Sequence, residues 1–185
     1  MRVSFLPLGS YEQHGPLPMD LDTRIAAAVA ERLAKELGGE VLPPLPYSCS
    51  WEWERSVSLR VETLAAVLRD VNESLKRMGK ELVVVNAHGG NSGLVQALGR
   101  QEGFYVVDFW KACGIKVGHC DEVEVKVAKA LGIDVEVPPF KEGWPEGRVS
   151  LPRVPEGCWG FKGEPDVEGC LSELASELSR LLTSK

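Results

Sequence analysis

Short apolar runs alternate with longer amphipathic stretches along the chain, and this alternation predicts an α/β fold. Apolar runs bounded by Gly, Pro or polar residues predict four strands, at residues 3–8, 40–45, 82–85 and 104–109. Apolar positions at helical spacing predict five helices, at residues 22–37, 62–78, 92–101, 119–131 and 165–182. Weaker signals predict two short strands, at residues 57–59 and 134–138, and a long loop at residues 143–163.

The order of these elements predicts a three-layer α/β/α single domain over residues 1–185, with a mostly parallel central sheet. The unbroken run LVVV at residues 82–85 is typical of a parallel strand that is buried on both faces. In sheets of this kind, binding sites form beyond the carboxyl ends of the strands. Residues that carry chemistry are therefore sought in the segments that follow predicted strands.

Composition excludes several classes of function. The 185 residues are 44% hydrophobic and 26% charged, as in an ordinary globular protein. A net charge of -6 argues against binding to nucleic acid or to an anionic membrane surface. No apolar stretch approaches the roughly 18 residues of a spanning helix. The five cysteines are odd in number and form no C-x-x-C pair, which predicts unpaired, buried thiols and a cytoplasmic location.

The three histidines all occupy positions where a predicted strand ends or a predicted helix begins. His14 follows the first strand, His88 follows the LVVV strand, and His119 opens a predicted helix. A single histidine is more often a hydrogen-bonded structural residue than a ligand. Three of three in such positions, each beside glycine and close to an acid or amide, favour a metal site instead.

Carboxylates near these histidines complete a candidate ligand set. Glu12 lies two residues before His14, and Glu122 lies three after His119, on the same face if the helix includes both. Asp22 has a carboxylate that is able to bridge two ions, although it is also a candidate helix N-cap, and Asp20 is a rival for the bridge. Imidazole and carboxylate together suit Zn, Mn or Fe(II).

Two further motifs are candidates for substrate contact. Gly89, Gly90 and Asn91 follow His88 and offer backbone N–H groups at a helix start, although such a turn is often only a turn. Trp51 and Trp53 are two residues apart and predict an aromatic wall over a pocket, with loop anchoring as the alternative.

Four segments resemble, in order, the signatures of the creatininase family, and together they cover nearly the whole chain. They are GSYEQHGPLPMDLD, VVVNAHGGN, HCDEVEV and GFKGEPDVEG, which begin at residues 9, 83, 119 and 160. The family consists of metal-dependent amidohydrolases that cleave C–N bonds in cyclic amides or formamides. It includes creatinine amidohydrolase and an archaeal formamidopyrimidine nucleotide deformylase of flavin and deazaflavin synthesis.

The resemblance implies a function for each candidate residue. Two divalent ions (Zn, Fe(II) or Mn) would bind per chain and share a hydroxide that attacks an amide carbonyl. The resemblance also implies that the chain forms a ring-like homo-oligomer. Glu12 and His88 would hold one ion, His14 and Glu122 the other, with Asp22 between them and His119 moving protons.

The implied substrate is a small-molecule amide or formamide, with the nucleotide deformylase reaction as the first candidate. Creatinine or lactam hydrolysis is the alternative within the family. A nucleotide needs phosphate contacts, and four cations are expected near the mouth of the site: Arg55, Arg60, Lys141 and Lys162. A competing hypothesis is a non-catalytic, metal-stabilised binding or assembly protein, because the segment between Cys120 and Gly157 is shorter than in most members.

Overall fold

A computed structural model describes residues 2–184, with Arg2 described through its backbone alone. Its centre is a four-stranded parallel sheet of order β2-β1-β3-β4. The strands are β1 (Arg2–Leu8), β2 (Glu40–Val41), β3 (Lys80–Asn86) and β4 (Tyr105–Asp108). Leu8 pairs with Asn86, and Asn86 pairs with Asp108. Because the register aligns these three residues, the loops that follow β1, β3 and β4 leave the sheet at one edge.

Helices connect the strands and follow them. They are α1 (Leu21–Leu37), α2 (Val61–Arg77), α3 (Ser92–Glu102), α4 (Phe109–Ala112), α5 (Glu122–Ala130) and α6 (Val167–Thr183). A single 3-10 turn, Gly89–Asn91, lies between β3 and α3. Two further two-residue strands, β5 (Lys141–Glu142) and β6 (Trp159–Gly160), pair with each other in parallel.

Alternate residues of β3 face two separate apolar layers. Val83 and Val85 pack into a core cluster that contains the buried residues of α1, α5 and α6. Leu82 and Val84 pack into a second cluster, with the buried residues of α2 and α3. Since successive side chains of a strand point to opposite faces, one buried strand serves both layers. The predicted three-layer α/β/α fold is confirmed.

Several predicted boundaries are wrong for local reasons. The strand expected at residues 40–45 ends at Val41, just before the Pro-rich segment 43–46, whose prolines have no N–H to donate to a sheet. Residues 57–59 and 134–138 form no strand. The helix expected from residue 119 begins at Glu122, because Cys120 adopts a left-handed φ of 47° and Asp121 is extended and caps the helix.

Four of the five cysteines form disulfides, so the expectation of unpaired thiols is wrong. Cys113 bonds to Cys170 and Cys120 bonds to Cys158, with Cα–Cα distances of 5.5 Å and 5.0 Å. Cys49 is free and buried. The partners are 57 and 38 residues apart, and such pairings are decided by the fold rather than by local spacing. The cytoplasmic location stays a prediction and loses one of its premises.

No helix within residues 2–184 is long and apolar enough to cross a membrane.

Candidate metal centre

The candidate site lies at the edge of the sheet where β1 and β3 end. The loop after β1 carries Glu12 and His14, and it packs directly on the first turn of α1. A Cβ added to Gly9 would lie 2.3 Å from backbone atoms of Thr23, so this close approach requires glycine. His88 comes two residues after the end of β3. The parallel register therefore brings the two loops and the start of α1 together.

Asp22 lies at the centre of this cluster. Its Oδ1 is 3.5 Å from Nε2 of His14, and its Oδ2 is 3.1 Å from Nδ1 of His88. The Ser10 hydroxyl donates a hydrogen bond of 2.7 Å to Oδ2 and fixes the carboxylate. Each carboxylate oxygen thus faces a different imidazole, which is the arrangement that a bridging ligand needs. Asp20, the rival candidate, instead accepts a hydrogen bond of 2.9 Å from the side chain of Arg24.

The potential ligand atoms form three overlapping groups. Within each group, the ligand atoms all lie within 4.8 Å of one another. The groups are Glu12, Asp22 and His88; His14, Asp22 and Glu124; and Glu12, His14 and His119. All six residues are buried. The first two groups share Asp22, so one carboxylate belongs to both potential ligand groups.

The unsatisfied polar atoms of the cluster fit metal ions. Both carboxylate oxygens of Glu12 and Nε2 of His14 are buried and have no hydrogen-bond partner within the described residues. Buried polar atoms in folded proteins almost always have a partner. Buried carboxylates are likewise paired or bound to metal, yet no Lys or Arg in the described part of the chain forms an ion pair with Glu12, Asp22 or Glu124.

Backbone carbonyl groups orient the two histidines. Nδ1 of His14 lies 3.1 Å from the carbonyl oxygen of Glu12, and Nε2 of His88 lies 3.1 Å from that of Cys49. Since a carbonyl oxygen only accepts, each of these nitrogens donates its proton. The opposite nitrogens, Nε2 of His14 and Nδ1 of His88, face the carboxylates. Each carries a proton towards them while its ring is charged, and each would offer a lone pair to a metal ion once that proton is displaced. Hydrogen bonds of this kind commonly orient histidine ligands of metals.

The charges within the cluster shift the pKa values of the central groups. Burial opposes protonation of both imidazoles, but nearby carboxylates outweigh it. At His14 these are the carboxylates of Asp22 and Glu124, and at His88 those of Glu12 and Asp22. The pKa of each imidazole is therefore well above its usual value. Burial also opposes ionisation of Asp22, but His14 and His88 hold the pKa of its carboxyl group well below the usual value.

The outer acids and His119 shift in the directions that favour their neutral forms. Burial raises the pKa of Glu12 and raises that of Glu124 to about 7, against the opposing charges of neighbouring histidines. Burial lowers the pKa of His119 well below its usual value, and the nearby charge of His14 lowers it further.

Glu122 does not lie in the cluster, so the structure does not bring this predicted ligand together with the others. It opens α5 and accepts a hydrogen bond of 2.7 Å from Nζ of Lys126 on the protein surface. Spacing of three from His119 puts residues on one face only within a helix, and His119 precedes the helix. Glu124 lies inside instead, with Oε1 3.7 Å from Nε2 of His14 and Oε2 accepting from the backbone N–H of Cys120 at 2.6 Å.

His119 lies against the cluster and is held on both sides. The backbone of His119 pairs with that of Trp159, with N–O distances of 2.6 Å and 3.0 Å. Its Nε2 donates to the carbonyl oxygen of Gln13, and its Nδ1 is 3.7 Å from Oε1 of Glu12. The ring of Trp53 stacks on the imidazole at 4.2 Å between centroids. The position of Gln13 was not signalled by any sequence pattern.

A cavity of about 740 Å³ opens over the cluster. Trp53, Gly89 and Gly90 line it, as expected for substrate contacts. Trp51 does not: the residue is 51% exposed, and its indole N–H donates to the carbonyl of Leu59 at 2.7 Å.

Asn91 does not line the cavity either, so its prediction as a substrate contact, like that of Trp51, is not supported. Its side chain is buried, accepts a hydrogen bond from the Cys49 N–H and donates to Oδ1 of Asn86. Asn91 therefore joins the loop around Cys49 to the loop that carries His88.

Glu52 is a residue of the cavity that the sequence patterns missed. Its Oε1 lies 3.3 Å from Nε2 of His88. A Cβ added to Gly90 would lie 2.4 Å from that oxygen and 2.5 Å from Nε2 of His88. Glycine at position 90 therefore leaves room for the contact between Glu52 and His88.

The chain is similar to known proteins in both sequence and fold. The family model for creatininase, described as creatinine amidohydrolase, matches residues 1–133. The matched segment contains all six residues of the cluster and covers most of the chain.

The chain belongs to the creatininase family.

Curated proteins of two differently named kinds are similar to this chain. A mycofactocin precursor peptide peptidase of Mycobacterium tuberculosis is 35% identical over 171 residues, which are 80% of this chain and 64% of that protein. A 2-amino-5-formylamino-6-ribosylaminopyrimidin-4(3H)-one 5'-monophosphate deformylase of Methanobrevibacter smithii is 30% identical over 183 residues, covering 90% of this chain and 76% of that protein. The chain spans 58% of the related Mycobacterium ulcerans peptidase.

Solved creatininases have the same fold as this creatininase-family chain. A crystal structure of creatinine amidohydrolase superposes with a TM-score of 0.76 and 20% identity, covering 99% of this chain and 91% of the other. A creatininase structure named for manganese gives a TM-score of 0.71 at 22% identity, covering 98% and 91%. The likeness therefore continues beyond residue 133, where the family model stops matching.

Metal affinity of this family member is expected to fall as the pH falls. His14 and His88 have raised pKa values, as do Glu12 and Glu124, so each binds a proton more tightly than the free side chain. A metal ion must displace those protons, and every proton displaced weakens the apparent affinity about tenfold per pH unit. Competition with a chromophoric chelator between pH 8 and pH 6, corrected for the chelator's own protonation, measures the slope. A flat profile would contradict the expectation.

Proposed function

We propose that the chain is a binuclear metal-dependent amidohydrolase. The observation that carries this proposal is the position of Asp22, whose two carboxylate oxygens face His14 and His88 separately. Glu12 and His88 would hold one ion, and His14 and Glu124 would hold the other, with Asp22 shared. Bound at these residues, the ions would supply Lewis acidity that polarises the amide carbonyl and acidifies the attacking water. A solved relative of the same fold is named for manganese.

His119 is assigned the proton transfers. Its Nε2 is committed to the carbonyl of Gln13, so the neutral ring keeps a lone pair on Nδ1, on the side of Glu12. That nitrogen is able to take a proton from the attacking water and to deliver it to the leaving nitrogen. Trp53 stacks on the ring and excludes water from one of its faces. A positioned acid–base group of this type contributes roughly 10²- to 10⁴-fold to a rate.

A small amide other than a peptide is the first candidate substrate, with a formamide ahead of a cyclic amide. The name of the Methanobrevibacter relatives supports deformylation of a formamidopyrimidine nucleotide. The cavity of about 740 Å³ is also within the range of small-molecule sites. Creatinine or lactam hydrolysis is the alternative of the same class and is supported by a Pseudomonas putida creatinine amidohydrolase, 33% identical over 100 residues.

Peptide-bond hydrolysis is a second candidate, and a specific observation favours it. The relatives named as peptide peptidases are 35% and 36% identical to this chain over 171 and 152 residues, above the 30% of the Methanobrevibacter deformylases. The same ion pair and the same proton carrier would serve either bond, because both are amides. The ligand geometry therefore leaves the substrate to be decided by the walls of the cavity.

Metal content followed by a substrate panel tests the proposal. Protein purified without chelator and reloaded with Zn, Mn or Fe(II) is expected to hold two ions per chain, and His14→Ala and His88→Ala are expected to hold fewer. The loaded protein is then given formamides, creatinine, a lactam and short peptides. Two ions with turnover of a formamide support the first candidate, and turnover of peptides alone supports the second. Two bound ions without turnover of any amide would favour the non-catalytic, metal-stabilised binding protein, and failure to bind any of the three metals would overturn the proposal.

The assembly state is a separate proposal. Family resemblance is the support for a homo-oligomer, and sedimentation of the purified protein distinguishes it from a monomer.

A further inference from the structure

One wall of the cavity carries two positive charges that the ligand cluster does not use. The wall comprises α4 and the segment that leads from it to His119, and it contributes Lys111 and Lys116 to the lining. Within the described residues, these are the only Lys or Arg side chains that line the cavity.

The four cations expected near the mouth are not among the lining residues. Arg55 pairs with Glu156 at 3.0 Å, and Lys162 pairs with Glu142 at 2.7 Å. Lys141 lies over the ring of Trp159. Their expected contact with a substrate phosphate is therefore not supported.

The ammonium group of Lys111 is held by a neutral partner. Its Nζ donates a hydrogen bond of 3.1 Å to Oε1 of Gln96. The amide of Gln96 is fixed in turn, because its Nε2 donates to Oδ2 of Asp108 at 2.9 Å. These hydrogen bonds fix the position of the ammonium group but give it no carboxylate as a direct partner.

Lys116 is held in a comparable way by an aromatic ring. Its Nζ lies 4.2 Å from the ring centroid of Phe161, which also lines the cavity. A cation–π contact orients an ammonium group without supplying a counter-charge. The backbone of Phe161 is itself anchored, since its N–H donates to Oδ2 of Asp121 at 2.8 Å.

Other lysines of the chain differ, because they form ion pairs with carboxylates. Lys126 is in contact with the carboxylates of both Glu122 and Glu164, and Lys162 with that of Glu142. Neither Lys126 nor Lys162 lines the cavity. Lys111 and Lys116 thus combine two properties within the described residues: they border the cavity, and they form no ion pair with a carboxylate there.

We propose that Lys111 and Lys116 bind an oxyanionic group of the amide substrate, either a carboxylate or a phosphate. This inference rests on the proposed function and narrows its substrate class to amides that carry a negative charge. A carboxylate would come from a peptide or an N-acylated amino acid, and a phosphate from a phosphate monoester that bears a formamide. Both are oxyanions that accept charge-assisted hydrogen bonds from ammonium groups.

Matched substrate pairs test the proposal in the metal-loaded enzyme. One pair is an N-formyl amino acid and its methyl amide, and the other is a formamide-bearing phosphate monoester and its dephosphorylated form. The variants are Lys111→Ala, Lys116→Ala and the double variant. For each lysine removed, kcat/KM for the charged substrate is expected to fall about tenfold more than kcat/KM for its neutral partner. This additional loss should appear mainly as a higher KM. Lys162→Ala is the matched control, because it removes a lysine that does not line the cavity.

The two pairs distinguish the sources of the oxyanion, since the pair with the larger charge preference in the wild type identifies the group. Equal losses for charged and neutral members would overturn the proposal, as would no loss. A binding measurement keeps this result separate from the proposed function. N-acetyl amino acids and ribose 5-phosphate are titrated by calorimetry into the metal-loaded wild type and double variant. Weaker binding to the variant supports the lysine site even if no amide is hydrolysed, and equal binding overturns it.

Discussion

Glu124→Gln is expected to lose one of the two proposed metal ions and to reduce turnover by at least about a hundredfold. Glu124 is buried, and its Oε1 lies 3.7 Å from Nε2 of His14, in the group that shares Asp22. Changes to residues that only support a metal ligand already cost about 10- to 100-fold in affinity or activity. Loss of a ligand carboxylate should cost no less. Elemental analysis gives the number of ions per chain, and steady-state kinetics gives the loss of turnover.

Glutamine suits this test because its amide oxygen is able to keep the hydrogen bond that Glu124 accepts from the N–H of Cys120. Glu122→Gln is the matched control, two positions away on the same helix. It changes a carboxylate that contacts Lys126 at the surface, so metal content and turnover should stay at the wild-type level. If Glu122→Gln lost an ion and Glu124→Gln did not, the assignment of Glu124 would be refuted.

His119→Ala is expected to keep both ions and to reduce kcat by roughly 10²- to 10⁴-fold, the usual contribution of a positioned acid–base group. The two groups that share Asp22 do not include His119, so five ligands remain in the variant. Metal content and kcat, measured on the same preparation, separate the two functions. Full turnover in the variant would remove His119 from the mechanism.

A different outcome would identify His119 as a ligand. Its Nδ1 is close enough to Glu12 and His14 to form the third potential ligand group. Loss of an ion in His119→Ala would therefore assign it to metal binding rather than to proton transfer. His119→Gln is a useful companion, because its longer side-chain amide matches the position of Nε2, which donates to the carbonyl of Gln13, but it cannot transfer protons. Slow turnover with full metal content in both variants, and partial recovery with added imidazole, would support proton transfer.

Much of the fold follows from local sequence pattern. The run LVVV predicts a buried strand, and β3 indeed supplies Val83 to one apolar layer and Val84 to the other. The boundaries of β3 lie up to two residues outside the prediction, because hydrogen bonding continues past the apolar core of the strand, to Lys80 and Asn86. The segment at residues 40–45 deviates most, since its prolines lack the N–H that pairing requires.

Five of the six cluster residues, His119 among them, were also within reach of the sequence. Glu12, His14, Asp22 and His88 all lie near the ends of β1 and β3 or in the first turn of α1. Because parallel strands end at one edge of a sheet, residues in those positions converge whatever the details of the loops. The structure brings these four together, and their function as metal ligands stays a proposal.

By itself, then, the sequence determined the three-layer fold and the part of the site that depends on where strands end. Only the tertiary structure showed that Glu124 rather than Glu122 lies in the cluster, because the left-handed backbone at Cys120 delays the start of α5 and turns Glu124 inward. It also decided the two disulfides and the position of Lys111 and Lys116 on the cavity wall. Each depends on contacts between residues far apart in the chain or on a single backbone angle, and local periodicity contains neither.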